Sequence, residues 1–181
     1  MTRSIVHIDM DTFFVSCEVL TNSQLKGIPL IIGGGDRGVV ASCSYEARRF
    51  GVRSAMPIRM ALQLCPEAKV LKGDMELYSK LSHDVTEIIQ SKAPVVEKAS
   101  IDEHYLDLTG MDKFFGCYKW TQELKQTITN ETGLPLSFAL SVNKKVSKIG
   151  TGESKPVGKL EIPETNVRNF LNPLTIQKIP M

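Results

Sequence analysis

Apolar and polar positions alternate over residues 4–10 (SIVHIDM). This predicts a strand with Val6, Ile8 and Met10 on one face and Ile5, His7 and Asp9 on the other. A helix is predicted over 12–20. Short strands follow at 29–33 and 38–42, joined by GGGDRG, a turn that needs glycine's access to positive φ. Helices are predicted at 44–50 and 57–64, where Pro57 suits a first helical turn. The strongest helical period lies at 74–91, with Leu77, Leu81, Val85, Ile88 and Ile89 recurring at spacings of three and four. Strands at 94–99 and 104–109 flank the segment SIDE. A helix over 114–131 puts Trp120, Leu124 and Ile128 on one face. A strand at 136–142 groups Phe138, Leu140 and Val142, a helix follows at 144–151, and another is expected after Pro163.

The order is strand and helix, a small mixed insert over about 20–73, a long helix, a hairpin, a helix and a strand. This pattern predicts an α+β fold, a mainly antiparallel sheet with helices on one face, plus a small mixed α/β insert. There are no internal repeats and no low-complexity tracts.

Composition narrows the class. The chain has 181 residues, 42% apolar and 23% charged, as an ordinary globular protein has. Twenty-two basic against 20 acidic residues leave a net charge of +2, which excludes a strongly basic coat protein and an acidic disordered tail. No run of 18 apolar residues exists, and the N-terminus meets charge too soon for a signal-peptide core. Cysteines 17, 43, 65 and 117 form no CxxC pair, and histidines 7, 83 and 104 are scattered. Reduced cysteines in a cytoplasmic protein are expected, with no structural zinc and no disulfide framework. The apolar, proline-containing ending QKIPM reads as a boundary inside a longer protein or a truncated gene.

Candidate chemistry lies in the acids. Asp9 and Asp11 end the first predicted strand, and Asp102 and Glu103 lie between two later strands. If those strands are neighbours, Asp9, Asp102 and Glu103 converge. Like charges at about 4 Å repel by about 4 kcal/mol at an effective dielectric near 20, so such a cluster shares protons or binds a cation. Oxygen donors without His or Cys favour Mg²⁺, and with it phosphoryl transfer on two metals about 3.5–4 Å apart. Acids that merely decorate turns are the plainer alternative. Asp9-Met10-Asp11-Thr12 also resembles the nucleophile motif of haloacid-dehalogenase-like phosphatases. The later segment Gly73-Asp74-Met75-Glu76-Leu77-Tyr78 lacks that family's second Asp, and no parallel doubly wound pattern follows.

Six ordered motifs carry a stronger resemblance: IVHIDMDTFFVSCE, RGVVASCSYEARRFGVRSAMP, ALQLCP, SIDEHYLDLTG, SVNKKVSKIGTGESKP and QKIP. Over essentially the whole chain the sequence resembles the Y-family translesion DNA polymerases, in their DNA polymerase IV-like branch. The resemblance implies a palm carrying the carboxylates, with its first part at 1–19 and its second at 74–160. It implies fingers at 20–73, and a linker with the start of a truncated thumb at 161–181. A helix-hairpin-helix thumb and a further DNA-binding domain complete the family's arrangement.

Carried over residue by residue, Asp9, Asp102 and Glu103 match the catalytic, metal-binding acids, with Met10 contributing its backbone carbonyl. Two Mg²⁺ per site are implied. Asp11 either faces the metals or caps the following helix. Phe14 matches the steric gate that excludes a ribose 2′-hydroxyl. Phe13 beside it is either a further nucleotide contact or helix core. Tyr45 and Arg48, three apart on one helix face, match residues that grip the dNTP triphosphate, as does Lys155. Lys144, Lys145 and Lys148 fall in a basic run that reads as following the DNA backbone. Ala139, GTGE at 150–153, His104 and Met181 depart from the family's usual residues.

The implied activity is low-fidelity, damage-bypassing transfer of a dNTP onto a primer 3′-hydroxyl, with primer-template DNA as partner. A sliding clamp is expected for the full-length protein through segments outside this chain, and the state expected is a monomer. The alternative is a nucleotide- or DNA-binding fragment with little turnover.

Overall fold

The computed structural model describes residues 2–35, 38–114 and 116–179. Asp36 and Arg37 of the expected glycine-rich turn, and Met181 of the expected thumb start, lie outside the described residues. The elements along the chain are β1 (Ile5–Met10), α1 (Phe13–Thr21), β2 (Leu30–Gly33), β3 (Val40–Cys43), α2 (Tyr45–Arg49), α3 (Ile58–Leu64), β4 (Lys69–Leu71), α4 (Met75–Lys92), β5 (Val96–Lys98), β6 (Glu103–Asp107), α5 (Cys117–Thr132), β7 (Leu136–Ser141), α6 (Lys144–Ser154), β8 (Lys159–Glu161) and α7 (Val167–Leu171). They form the expected α+β class, but helices lie on both faces of the larger sheet, α4 and α5 on one and α6 on the other, where one face was expected. The chain divides into two compact units, residues up to Asp11 with those from Ser82 onward, and residues Thr12–Leu81.

The first unit holds a five-stranded sheet in the order β5-β6-β1-β7-β8. β1 is its centre, antiparallel to both β6 and β7, and β7 pairs in parallel with β8. A central antiparallel β1 removes the dehalogenase-like reading, in which the nucleophile strand opens a parallel sheet. Ile8 pairs with His104 on one side and Phe138 on the other, and this face meets the two long helices. Thr86 of α4 bonds His104 at 3.0 Å, and the Tyr118 ring of α5 lies 5.7 Å from that of Phe138. The other face carries Ile5, His7 and Asp9, with Ala139 opposite His7. Here α6 docks: Ser147 Oγ donates to the Ile5 carbonyl at 2.7 Å and Thr151 Oγ1 to that of His7 at 3.1 Å.

The second unit is a small three-stranded sheet, β3-β2-β4, antiparallel on one side of β2 and parallel on the other. Ile31, Val40, Cys43, Ala47, Val52, Ile58, Ala61 and Cys65 form its core. Ser44 caps α2 by accepting from Ala47 N at 3.3 Å. Gly38 is required by close approach, since a Cβ there would lie 1.7 Å from the Gly34 carbonyl oxygen.

Two expected helix faces are rotated. On α4 the buried positions are Tyr78, Ser82, Val85, Thr86 and Ile89, whereas Leu77, Leu81 and Ile88 are half-buried. Polar Ser82 and Thr86 are turned inward because Ser82 accepts from Lys98 at 2.8 Å and Thr86 bonds His104. On α5 the stripe is Cys117, Thr121, Leu124 and Ile128, with Trp120 half-buried. Strands β4 and β8 were not expected. At three residues each they are too short to show a period.

Gly150 lets α6 lie against β7. A Cβ there would sit 2.9 Å from Ala139 Cβ and 2.7 Å from Ile162 Cδ1. Gly150→Ala should therefore cost about 1–3 kcal/mol in denaturant unfolding despite alanine's better helix propensity. Ala139→Gly should recover part of that loss in the double variant. A Gly150→Ala protein as stable as the parent would show that this contact has slack.

Candidate active site

The β1–β6 register sets Asp9 directly opposite Glu103 and His7 opposite Tyr105. Met10 turns its side chain into the core, leaving only its backbone for a site, and its N–H donates to the Asp102 carbonyl at 3.0 Å. That bond ties the β5–β6 turn to the end of β1. The Asp102 carboxylate accepts from Ser100 Oγ at 2.6 Å. Asp102 lies near enough for its charge to act on Asp9. The three expected acids thus gather at one end of two paired strands. The structure adds His7, whose ring nitrogen falls within 4.8 Å of ligand oxygens of both Asp9 and Glu103.

α6 supplies positive charge to this end of the sheet. Lys148 Nζ donates to both Glu103 oxygens, at 2.9 and 2.6 Å, and Lys155, at the C-cap, bonds Asp9 Oδ1. One turn before Lys148, Lys144 pairs with Glu97 and lies 5.3 Å from the centre of the Tyr105 ring. Lys144 and Lys148, expected on DNA, are therefore both engaged by carboxylates, and Lys145 is exposed. The four-residue spacing puts Lys144 and Lys148 on one helix face.

The two opposed acids titrate far apart. Burial pushes Asp9 up to about 6, against the pull of Lys155 and with the charges of Asp102 and Glu103 adding to the rise. Glu103 is drawn down to about 2 by His7 and Lys148, against its own burial. His7 Nε2 stands 3.7 Å from Glu103 Oε2, beyond hydrogen-bond range, so the two short Lys148 contacts define the geometry around Glu103. Burial lowers the pKa of His7 and favours its neutral form.

Asp11 is held by β7 and by the segment that follows α6. It is buried, and its carboxylate accepts from Ser137 Oγ at 3.0 Å and Val157 N at 2.6 Å. Thr12, not Asp11, is the N-cap of α1. Ser137 also accepts from Gly158 N at 2.9 Å, and Lys125 Nζ donates to the Val157 carbonyl at 2.6 Å. These bonds secure the loop that begins at Lys155. Val157 needs such holding, because its φ of 52° is an outlier for a β-branched residue. The hydrophobic pattern carries no signal for Ser137 or Lys125, whose value lies in what they bond. His104, noted as a departure, points away from the acids into the α4 face, where burial lowers it to about 4.

The remaining candidates belong to the second unit. Phe13 is 3% exposed and its ring packs in the core, the second of the two roles expected of it. Phe14 is half-buried and stacks on Tyr78 at 4.4 Å with ring planes 14° apart. Tyr78 in turn donates to Glu18 at 2.5 Å. On α2, the Arg48 guanidinium lies 5.2 Å from the Tyr45 ring centre and its Nε donates to the Cys43 carbonyl at 3.3 Å.

Asp9 makes stability pH-dependent in a definite direction. Its folded pKa, about 6, lies above its ordinary 3.8, so the folded state holds the extra proton between those values and stability falls as pH rises through them. The loss is about 3 kcal/mol. Glu103 acts oppositely, its contribution being lost as pH falls from 4.5 towards about 2. In chelator-containing buffer, denaturant stability should drop between about pH 4 and pH 6, and Asp9→Asn should flatten the drop and be the more stable form at neutral pH. Stability rising through that window would overturn this account of Asp9.

The profile of the impB/mucB/samB family matches residues 8–152. DNA polymerase IV of Treponema denticola is 43% identical over 175 residues, covering 96% of this chain and 44% of that protein. DNA polymerase IV 2 of Methanosarcina mazei is 39% identical, covering 98% and 50%. Among solved structures, DinB from Sulfolobus solfataricus superposes with a TM-score of 0.90 at 35% identity, over 98% of this chain and 53% of that one. An insertion ternary complex of Dbh DNA polymerase gives 0.88 at 34%, over 98% and 54%. The chain spans about half the length of the relatives it matches. With its family profile, its relatives and its fold in agreement, the chain belongs to the impB/mucB/samB family, the Y-family translesion DNA polymerases, in their DNA polymerase IV-like branch.

Proposed function

We propose that the chain is the catalytic portion of a translesion DNA polymerase that adds deoxynucleotides to a primer 3′-hydroxyl. The observation that carries this reading is the facing of Asp9 and Glu103 across paired strands, with Asp102 tied to the end of β1 and two lysines compensating the acids. The names of the relatives support it. In this reading the five-stranded unit is the palm, the insert at about 20–73 is the fingers, and the working compartment is the cytoplasm. No helix among the described residues is long and apolar enough to cross a membrane.

The donor set fits a hard divalent cation. Burial pushes Asp9 up to about 6 despite its bond to Lys155, so the carboxylate gains from a further positive charge beside it. Asp9, Asp102, Glu103 and the Met10 carbonyl would hold two Mg²⁺. When bound, those ions would supply acidity to the primer hydroxyl and neutralise charge on the triphosphate. Lys148 holds the Glu103 carboxylate in one orientation. Lys155 exchanges Asp9 for triphosphate oxygens, which offer it more negative charge. Tyr45 and Arg48 match the family's triphosphate-gripping residues, a ring and a planar fork, the arginine in the geometry that phosphate accepts best. Phe14, braced by Tyr78, closes the space a 2′-hydroxyl would need. Lys145 is free to meet the DNA backbone.

Primer extension by the chain with Mg²⁺ tests this reading. Asp102→Ala should lower the rate by at least about a hundredfold while leaving the thermal melt intact. Extension near the parent rate in that variant would overturn the site. Phe14→Val should raise ribonucleotide incorporation by about tenfold or more with a smaller loss for deoxynucleotides. Phe13→Ala should instead lose about 3–5 kcal/mol of stability, as buried phenylalanines do. Ribonucleotide use controlled by Phe13 would place the gate one residue away.

A further inference from the structure

His7 is a buried group at the carboxylate end whose chemistry the proposed polymerase site does not use. It is 1% exposed, and neither ring nitrogen has a hydrogen-bond partner among the described residues. The other buried histidine, His104, at least bonds Thr86 through Nε2. His7 is aimed: it shares the Asp9 face of β1, its ring lies 4.7 Å from that of Tyr105, and Nε2 stands 3.7 Å from Glu103 Oε2. An imidazole nitrogen facing two carboxylates is a recurring ligand set for late first-row metals, and it is a poor one for magnesium, which prefers oxygen.

We propose that His7 Nε2, Asp9 and Glu103 form a binding site for a late first-row divalent ion of the zinc and cobalt(II) kind. The site shares two carboxylates with the hard-cation site but is defined by the nitrogen. Its three ligand atoms lie within 4.8 Å of one another. Tetrahedral ligation with bonds of about 2.0–2.1 Å requires edges of about 3.3 Å, so His7 and Glu103 need to close by only a few tenths of an ångström. Asp9 approaches by a side-chain rotation. The ion replaces the charge of Lys148 and Lys155, whose side chains are 37% and 24% exposed and have solvent to swing into. An ion held there occupies the carboxylates that Mg²⁺ would use, so zinc-class ions inhibit by competition and not by unfolding the chain.

The test uses the whole chain without a histidine tag. Cobalt(II) should bind with visible d–d absorption, and zinc should displace it. Calorimetric zinc affinity should fall by at least about tenfold in His7→Gln. It should stay unchanged in His83→Gln, which removes the exposed imidazole 3.4 Å from Glu87. If His7→Gln fails to melt cooperatively, ring-¹⁵N spectra of the parent decide instead, with zinc shifting the His7 resonances. Unchanged affinity in a folded His7→Gln variant, or zinc shifting only His83, overturns the proposal. The inference shares Asp9 and Glu103 with the polymerase reading, and the two fail separately. Asp102→Asn should lose Mg²⁺-dependent extension and keep zinc binding, whereas Mg²⁺-dependent extension by a chain that binds no zinc at His7 refutes this site alone.

Discussion

The lysines of α6 hold the acidic end of the large sheet together. Asp9 and Glu103 face one another across a β ladder, with Asp102 beside them. At about 4 Å two such charges repel by about 4 kcal/mol at an effective dielectric near 20. Lys148 answers one acid and Lys155 the other. The answer is uneven. Glu103, with two short Lys148 contacts and His7 facing it, lies at about 2, whereas Asp9 rises to about 6. Neighbouring carboxyls driven apart in this way mark a site organised for charge chemistry.

Delivering that charge requires a helix laid closely on the strands. Asn143 starts α6 by accepting from Val146 N at 3.0 Å. Ser147 and Thr151, one turn apart, reach the carbonyls of Ile5 and His7. Gly150 removes the side chain that would collide with Ala139. Beyond the helix, Asp11 and Ser137 hold Val157 and Gly158, which fixes the segment leaving Lys155. Asp11 is thus a structural acid two residues from a candidate metal-binding one. Successive residues leave a strand on opposite faces, and residues two apart share a face, but the strand ends at Met10 and the alternation stops applying to Asp11.

Much of this was legible in the sequence. Alternation at 4–10 placed Asp9 and Met10 on opposite faces, and the hairpin around SIDE brought Asp102 and Glu103 back to the end of β1. The long helices were legible from their period. What escaped was decided by partners distant along the chain. Ser82 and Thr86 turned inward on α4 because Lys98 and His104 were there to bond them. Strands β4 and β8 exist because β2 and β7 offer parallel edges, which three residues cannot announce. The run of lysines from Lys144 to Lys159 was legible as local positive charge but its carboxylate partners were not, since a lysine's sequence neighbours do not name the acid across the sheet.

His7 shows the same limit from the other side. Scattered histidines with no metal-ligand spacing argued against a structural zinc site, and that reasoning holds for a site built from one local motif. A β ladder makes ligand sets differently. Positions two apart on one strand and opposite on the next converge with no sequence spacing at all, as His7, Asp9 and Glu103 do. Their meeting depends on register, and register here follows from burying Val6, Ile8 and Met10 beneath β1 against Leu106, Phe138 and Leu140. A one-residue slip would turn the acids into that apolar layer. The same packing that builds the core therefore selects which charged groups meet on the opposite face.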